Sequence, residues 1–405
     1  MNADELVRDS LREQAAAQPA LGPGFVERVL TVRRRRRTRA LASAAAATVA
    51  VVAVAVAVPL LDSGKHDVRL ASELNPSGII AHPGQTPPRD LIAAGDVALA
   101  AYYTSSNVKQ TDDRAVGDRT YRLLDQKTGT YVKTTRWSFI DIAPGMRTAA
   151  VLEKNLPAKR IGLLNLLTGE VERWIPVSHG VGGVEFSPDG SRLVATTYSK
   201  NPDLRYRADY DSDGDGKNND WMPQFGQSNR TGFYVVDVTS GKGSWNEVTT
   251  PSDALNPRED FAFSHDGKLI CSGITTESHM QYYDFAGNEV AQPANEKYAH
   301  RFSGAGLSPD GKLVAGGYAG NNNKSASELL DPYTGKRVTK VNGQQLLSWV
   351  DDKRLIAWDI TPGSNEFHNR LVLVTIGSDK VVPLSGFRKG NDGAAGRWTP
   401  LFAER

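Results

Sequence analysis

The stretch VEFSPDGSRLVATTY, residues 184–198, decides the fold. An apolar run rich in strand-forming residues meets Ser-Pro-Asp-Gly, then a basic residue, then a second apolar run. Proline pre-sets φ at the second turn position, and Asp-Gly supplies the backbone freedom that a tight reversal needs. Flanks of Val, Leu, Thr and Tyr favour extended chain. The segment therefore reads as a hairpin. Two further copies follow, FAFSHDGKLICSGI (261–274) and AGLSPDGKLVAGGY (305–318). Weaker ones are FIDIAPGMRTAAVLE (139–153) and LSWVDDKRLIAWD (347–359). A second pattern, strand, Thr/Ser-Gly-type turn, strand, alternates with the first. It recurs as YRLLDQKTGTYVKT (121–134), IGLLNLLTGEVERW (161–174), FYVVDVTSGKGSW (233–245), YYDFAGNEVAQP (282–293), ELLDPYTGKRVTK (328–340) and LVLVTIGSDKVVPL (371–384).

Each unit is thus two hairpins, or four strands. The turn glycines of the second pattern, Gly129, Gly169, Gly241, Gly287, Gly335 and Gly377, fall 40, 72, 46, 48 and 42 residues apart. A period near 45 with four strands per unit is the signature of a β-propeller. The 72 is one unit carrying about 28 extra residues. The expectation is an all-β, six-bladed β-propeller over 91–405, with an insertion at about 200–231. The first unit, LIAAGDVALAAYYTS (91–105), lacks a clean first strand, and GRWTPLFAER (396–405) is a lone strand-like segment. The C-terminal segment is therefore expected to enter the first blade and close the ring, since an open propeller leaves strand edges unpaired. Seven blades is the alternative, should 75–105 and 390–405 contribute more.

The repeated FSPDG-(Ser/Lys)-(Arg/Lys)-Leu core resembles that of TolB-like and WD-repeat-like bacterial β-propellers, over about 91–405. Trp358-Asp359 is an isolated Trp-Asp pair, which places the resemblance on the TolB-like side. The resemblance implies a fold and leaves function open, because propellers host lyases, lactonases, peptidase lids and binding platforms alike.

Outside the repeats the chain has a different character. Of 405 residues, 48 are Lys or Arg and 46 Asp or Glu, a formal net charge of +2. That excludes a chain basic overall, the usual footprint of a nucleic-acid binder. Residues 1–40 carry net +4, residues 41–61 no charge, and the remainder net −2. The uncharged run LASAAAATVAVVAVAVAVPLL (41–61) spans about 30 Å as a helix, the thickness of a bilayer core. Arg33–Arg37 and Arg39 abut its N-terminal end, so residues 1–40 are expected in the cytoplasm and 62–405 outside it. The arginines also suit anionic lipid headgroups. The expectation is an uncleaved single-pass anchor in the cell membrane, its lipid contact made by 41–61. Leu6, Val7 and Leu11 at helical spacing predict a short helix in the tail. In layout only, tail, span and outer domain resemble actinobacterial membrane proteins of the anti-sigma-factor type; the His-x3-Cys-x2-Cys motif many of those carry is missing from 1–40. Residues 62–90, rich in Pro and Gly, read as a linker.

The insertion holds DYDSDGDGKNND (209–220). It matches D-x-[DN]-x-[DN]-G-x5-[DE] with Asp209, Asp211, Asp213, Gly214 and Asp220, and Asp215 offers a backbone carbonyl. Alternating carboxylates on a tightly turning loop suit Ca²⁺, a hard cation taking six to eight oxygens. No amphipathic helix precedes Asp209 and Pro223 opposes one after it, so an isolated, structural Ca²⁺ loop is expected.

No G-x-S-x-G, H-E-x-x-H or P-loop occurs. The seven histidines are scattered, and Cys271, the one cysteine, falls in an apolar strand as a core residue. Trp221 lies in the insertion, where exposure is expected. Glu185, Asp260 and Arg301 flank innermost strands without forming a motif. No catalytic residue is assigned. The sequence reads as a ligand- or protein-binding module outside the cell, taking an unknown extracytoplasmic protein or small molecule and no nucleic acid. One alternative is a propeller enzyme of lyase or lactonase type with a metal in its channel; another is a transmembrane sensor signalling through the tail.

Overall fold

The computed structural model describes residues 78–209, 211, 216–217, 219–225, 227–248, 258–274, 279–300, 303–321, 324–361, 365–390 and 396–405. The expected tail, membrane span and first part of the linker lie outside them. The described residues contain no helix, and so none long and apolar enough to cross a membrane.

All regular structure among the described residues is β. In chain order, β1 (Ile79–Ile80), β2 (Ala93–Ala94), β3 (Val97–Lys109), β4 (Arg114–Asp125) and β5 (Thr130–Thr134) open the fold. Next come β6 (Trp137–Ile142), β7 (Thr148–Glu153), β8 (Ala158–Asn165), β9 (Val171–Phe186) and β10 (Arg192–Tyr198). The insertion supplies β11 (Leu204–Arg207) and β12 (Trp221–Met222), and β13 (Arg230–Asp237) and β14 (Gly243–Glu247) complete that unit. Then follow β15 (Ala262–Phe263), β16 (Ile270–Gly273), β17 (Met280–Tyr283) and β18 (Glu289–Val290). The last are β19 (Val314–Tyr318), β20 (Ala326–Leu330), β21 (Arg337–Asn342), β22 (Gln345–Asp351), β23 (Arg354–Ile360), β24 (Asn369–Thr375), β25 (Val381–Pro383) and β26 (Trp398–Glu404).

Every pairing is antiparallel, and the hairpins fall where the turn motifs put them. β6–β7–β8 continue into the first half of β9, whose second half pairs β10, followed by β13 and β14. One long strand therefore ends one sheet and begins the next. β15–β18 and β22–β25 are four-stranded meanders; β19–β21 gain an inner partner through the Leu307↔Val314 bridge. The C-terminal segment behaves as expected. β26 pairs β3 from Trp398↔Thr104 to Glu404↔Val97, on the edge opposite β4.

Apolar side chains join neighbouring sheets. Tyr121 and Ala101 pack on Trp137, Ile140 and Val151. Leu152 and Ile161 pack on Val184, Leu193 and Val236. Val194 and Phe233 pack on Phe261, Ile270 and Tyr283. Beyond β18, Tyr298 and His300 lie against Gly335 and Gly317. Leu329 and Val341 pack on Leu355 and Val372. The last sheet returns to the first, with Ile356 and Leu371 against Leu99, Tyr102 and Trp398. Sheets that pack in sequence, the last on the first, make a β-propeller. Arg388 reinforces the closure: its guanidinium lies 3.7 Å from the Trp358 ring centroid and donates to the Trp398 carbonyl at 2.9 Å. Residues 78–90, the end of the linker stretch, are bonded to this seam: the Trp398 indole donates to Thr86 Oγ1 at 3.1 Å and the Tyr102 hydroxyl to the Pro88 carbonyl at 2.7 Å.

Candidate functional site at the axial mouth

The innermost strands are β6, the second half of β9, β15 and their counterparts, each with a sheet partner on one side only. Carboxylates tie them to one another. Asp141 on β6 accepts the Phe186 N–H of β9 at 2.7 Å, and Glu185 on β9 accepts the Phe263 N–H of β15 at 3.0 Å. Burial pushes the Asp141 carboxyl up to about 6, against the N–H bonds from Phe186 and Ile142. Burial, with Asp141 and then Asp260 nearby, pushes Glu185 up to about 8. At neutral pH Glu185 is therefore mostly protonated, because a second and third negative charge in one low-dielectric space are costly.

One end of this axis carries a network of arginines. Asp203, at the root of the insertion, is 2% exposed as a side chain and is held by two guanidinium groups. Arg119 of β4 donates to its two oxygens at 2.7 and 3.0 Å, and Arg258 at 2.9 and 3.0 Å. Arg258 also donates to Asp260 at 2.6 Å and to the Gly182 carbonyl at 2.9 Å. The Tyr198 hydroxyl donates to the other Asp260 oxygen at 2.8 Å. Glycine at 183 is required here, since a Cβ would collide with the Asp260 carboxylate. Phe139, on the innermost β6, lies under both cations, 5.7 Å from Arg119 and 5.1 Å from Arg258. Burial opposes ionisation of Asp203, yet Arg258 and Arg119 outweigh it and hold the carboxyl far below its usual range. Burial likewise opposes the Arg258 charge, and Asp260 and Asp203 overcome it.

Arg205 completes the mouth. Among the described residues its guanidinium has one hydrogen bond, to the Leu204 carbonyl at 3.0 Å. Burial lowers its proton affinity; Asp203 raises it, and the Arg119 and Arg258 charges lower it further. Lys154 pairs with Asp118 and donates to the Arg119 carbonyl at 2.8 Å. Positive charge is thus in excess: Asp203 is already shared by two arginines, and Arg205 stands beside them with donors to spare.

The insertion is not a plain loop. β11 pairs β4 through Leu204↔Val116 and Tyr206↔Arg114, and β12 pairs β11, so the inserted hairpin extends the sheet of another unit. Trp221 is half-buried on β12 rather than exposed, because its strand is seated in that sheet. Of the expected Ca²⁺ ligands, Asp213 and Asp215 lie outside the described residues, as does Gly214. Asp209 and Asp220 sit at the two ends of the hairpin loop, where the Ala208 N–H donates to the Asp220 carbonyl at 2.7 Å. Asp211 accepts the Gly216 N–H at 3.0 Å, and Gly216 has φ +89°. Among the described residues no three His, Cys, Asp or Glu side chains come together as a metal site.

Sequence reading had noted Glu185 and Asp260 but missed Arg119, Asp203, Arg205 and Arg258. Arg119 and Arg258 stand 84 and 55 residues from Asp203 in the chain. Arg301 lies outside the described residues. Cys271 is 4% exposed, as a core residue should be.

No protein-family model matches the chain, and no curated protein matches it. Solved structures do. TolB from Acinetobacter baumannii is 14% identical over 71% of this chain and 67% of that chain, with a TM-score of 0.34. The putative TolB from Agrobacterium tumefaciens is 13% identical over 76% and 98%, with a TM-score of 0.38. Kuenenia stuttgartiensis hydrazine synthase is 16% identical over 63% and 68%, with a TM-score of 0.34. The propeller assignment rests on the strand pairing and packing of the chain itself.

Proposed function

We propose that the protein is a membrane-anchored, extracytoplasmic binding module: a six-bladed β-propeller whose axial mouth takes an anionic group, carboxylate or phosphate. The blade count is supported by the six turn glycines and by β26 completing β3–β5 as a four-stranded unit. The anchor and its orientation are supported by the 41–61 run and its flanking arginines. The carrying observation for binding is Arg205, half-buried beside Arg119 and Arg258, whose shared carboxylate is fully engaged. A cation with unused donors in a preorganised, partly desolvated site suits an anion.

Isothermal titration of the purified protein with inorganic phosphate and with citrate, at matched ionic strength, tests this. Saturable binding is expected, weakened at least about tenfold in Arg205→Gln, as for loss of a charge-assisted hydrogen bond. No saturable heat from either anion would overturn it. Recovery in carbonate-washed membranes tests the anchor, and release into the soluble fraction would contradict it.

The 209–220 loop is proposed as a structural Ca²⁺ site, with Asp209, Asp211, Asp213 and Asp220 as side-chain ligands and Asp215 through its carbonyl. Support is the spacing, together with a hairpin base that brings positions 209 and 220 to one place. Affinity in the range of roughly 10⁻⁴–10⁻³ M is expected. No calorimetric heat at millimolar Ca²⁺, or equal binding in Asp209→Ala/Asp213→Ala, would remove it. A channel enzyme is the second reading, favoured by Glu185: an acid with a pKa pushed up to about 8 holds a proton it could donate. An activity that survives Glu185→Gln would count against that reading.

A further inference from the structure

Where the sheet of β19–β21 meets that of β22–β25, the apolar wall of Leu329, Val341, Val372 and Val374 gives way to a polar cleft of about 280 Å³. It is remote in sequence and sheet from the arginine mouth. Asp359 and Arg370 stand opposite one another on β23 and β24 and line it, as a loose pair at 3.8 Å. Lys324 and Asp379 also line it and pair with each other at 2.5 Å. Asn342 donates to the Asp379 main-chain carbonyl at 3.2 Å, leaving its amide oxygen to the cleft. Two buried polar atoms there have no partner in the protein: Ser325 Oγ, on a residue 8% exposed, and Arg370 Nε. Ile360 and Val381 supply apolar wall.

Two cations and two carboxylates balance, so the cleft selects neither anion nor cation by charge. What remains is a close alternation of donors and acceptors. Arg370 and Lys324 can only donate, Asp359 and Asp379 accept, and Asn342 does both. Hydroxyl groups, each donor and acceptor at once, satisfy such a set. The volume equals about nine water molecules at roughly 30 Å³ each, enough for a ring of monosaccharide size. Ile360 and Val381 would meet its C–H face. We infer that this interblade cleft binds a neutral polyol of monosaccharide size.

Saturation-transfer NMR and calorimetry on the purified protein test the inference, with glucose, galactose, mannose and myo-inositol as probes and glycine and glucose 6-phosphate as comparators. At least one neutral probe is expected to bind saturably. Asp359→Asn should weaken it at least about tenfold and Asn342→Ala about three- to tenfold, from loss of one charged and one neutral hydrogen bond. Unchanged thermal midpoints would show both variants folded. Arg205→Gln, in the mouth, should leave polyol binding unaltered, so that failure of one site is separable from failure of the other. Absence of saturable binding by every neutral probe would overturn the inference. So would tighter binding of glycine or glucose 6-phosphate, or full binding in both cleft variants.

Discussion

Ser187, Ser264 and Ser308 do the same work in three turns. Each hydroxyl donates to the Asp two residues on, at 2.5, 2.8 and 2.8 Å, and accepts the N–H five residues on, at 3.0 Å in all three. The hydroxyl closes the turn from inside, and the glycine that follows takes φ near +70°. All three serines are buried, so their loss strands a main-chain donor. Ser308→Ala is expected to lower unfolding free energy by about 1–3 kcal/mol, measured by urea titration. These turns are legible because one residue's chemistry serves a neighbour a few positions away. Glu185 belongs to the other kind. Between the ordinary carboxyl value of 4.5 and about 8, the folded chain keeps a proton that the unfolded chain releases, so stability falls as pH rises through that window. Urea midpoints at about pH 5 should exceed those at about pH 8.5, and Glu185→Gln should flatten most of the difference. An unaltered slope in the variant would mean that Glu185 titrates as an exposed acid.

At the scale of elements, β26 contributes more than its length indicates. Trp398 is 1% exposed, edge-on to Trp358 at 5.3 Å and to Tyr102 at 5.7 Å. Trp398→Ala should cost about 3–5 kcal/mol, seen as a lower thermal midpoint. Deleting 396–405 should expose the β3 edge and cause association, seen by light scattering. A monomeric deletion variant with an unchanged midpoint would contradict this role. The strand itself was legible as a lone apolar segment matching a vacancy in the first unit. The insertion was legible as an insertion, but not as strands, because Leu204–Arg207 and Trp221–Met222 are short, and the first pairs β4 from another unit while the second pairs only the first. Short strands whose partners are distant carry little periodic signal.

For the whole molecule, repetition of turns and apolar runs made the architecture readable, since each unit repeats one pattern and neighbours bury it. The arginine mouth was not readable in the same way. Arg119, Asp203 and Arg258 come from a sheet strand, an insertion and a connecting segment, and only closure of the sheets around an axis brings them together. Hydrogen exchange along Trp398–Glu404 in the full-length protein tests that closure most directly. The amides of this segment should be as strongly protected as those of Val97–Thr104, with which it pairs. Exchange of 398–404 at the rate of a free tail, while the other strands stay protected, would contradict the closed propeller.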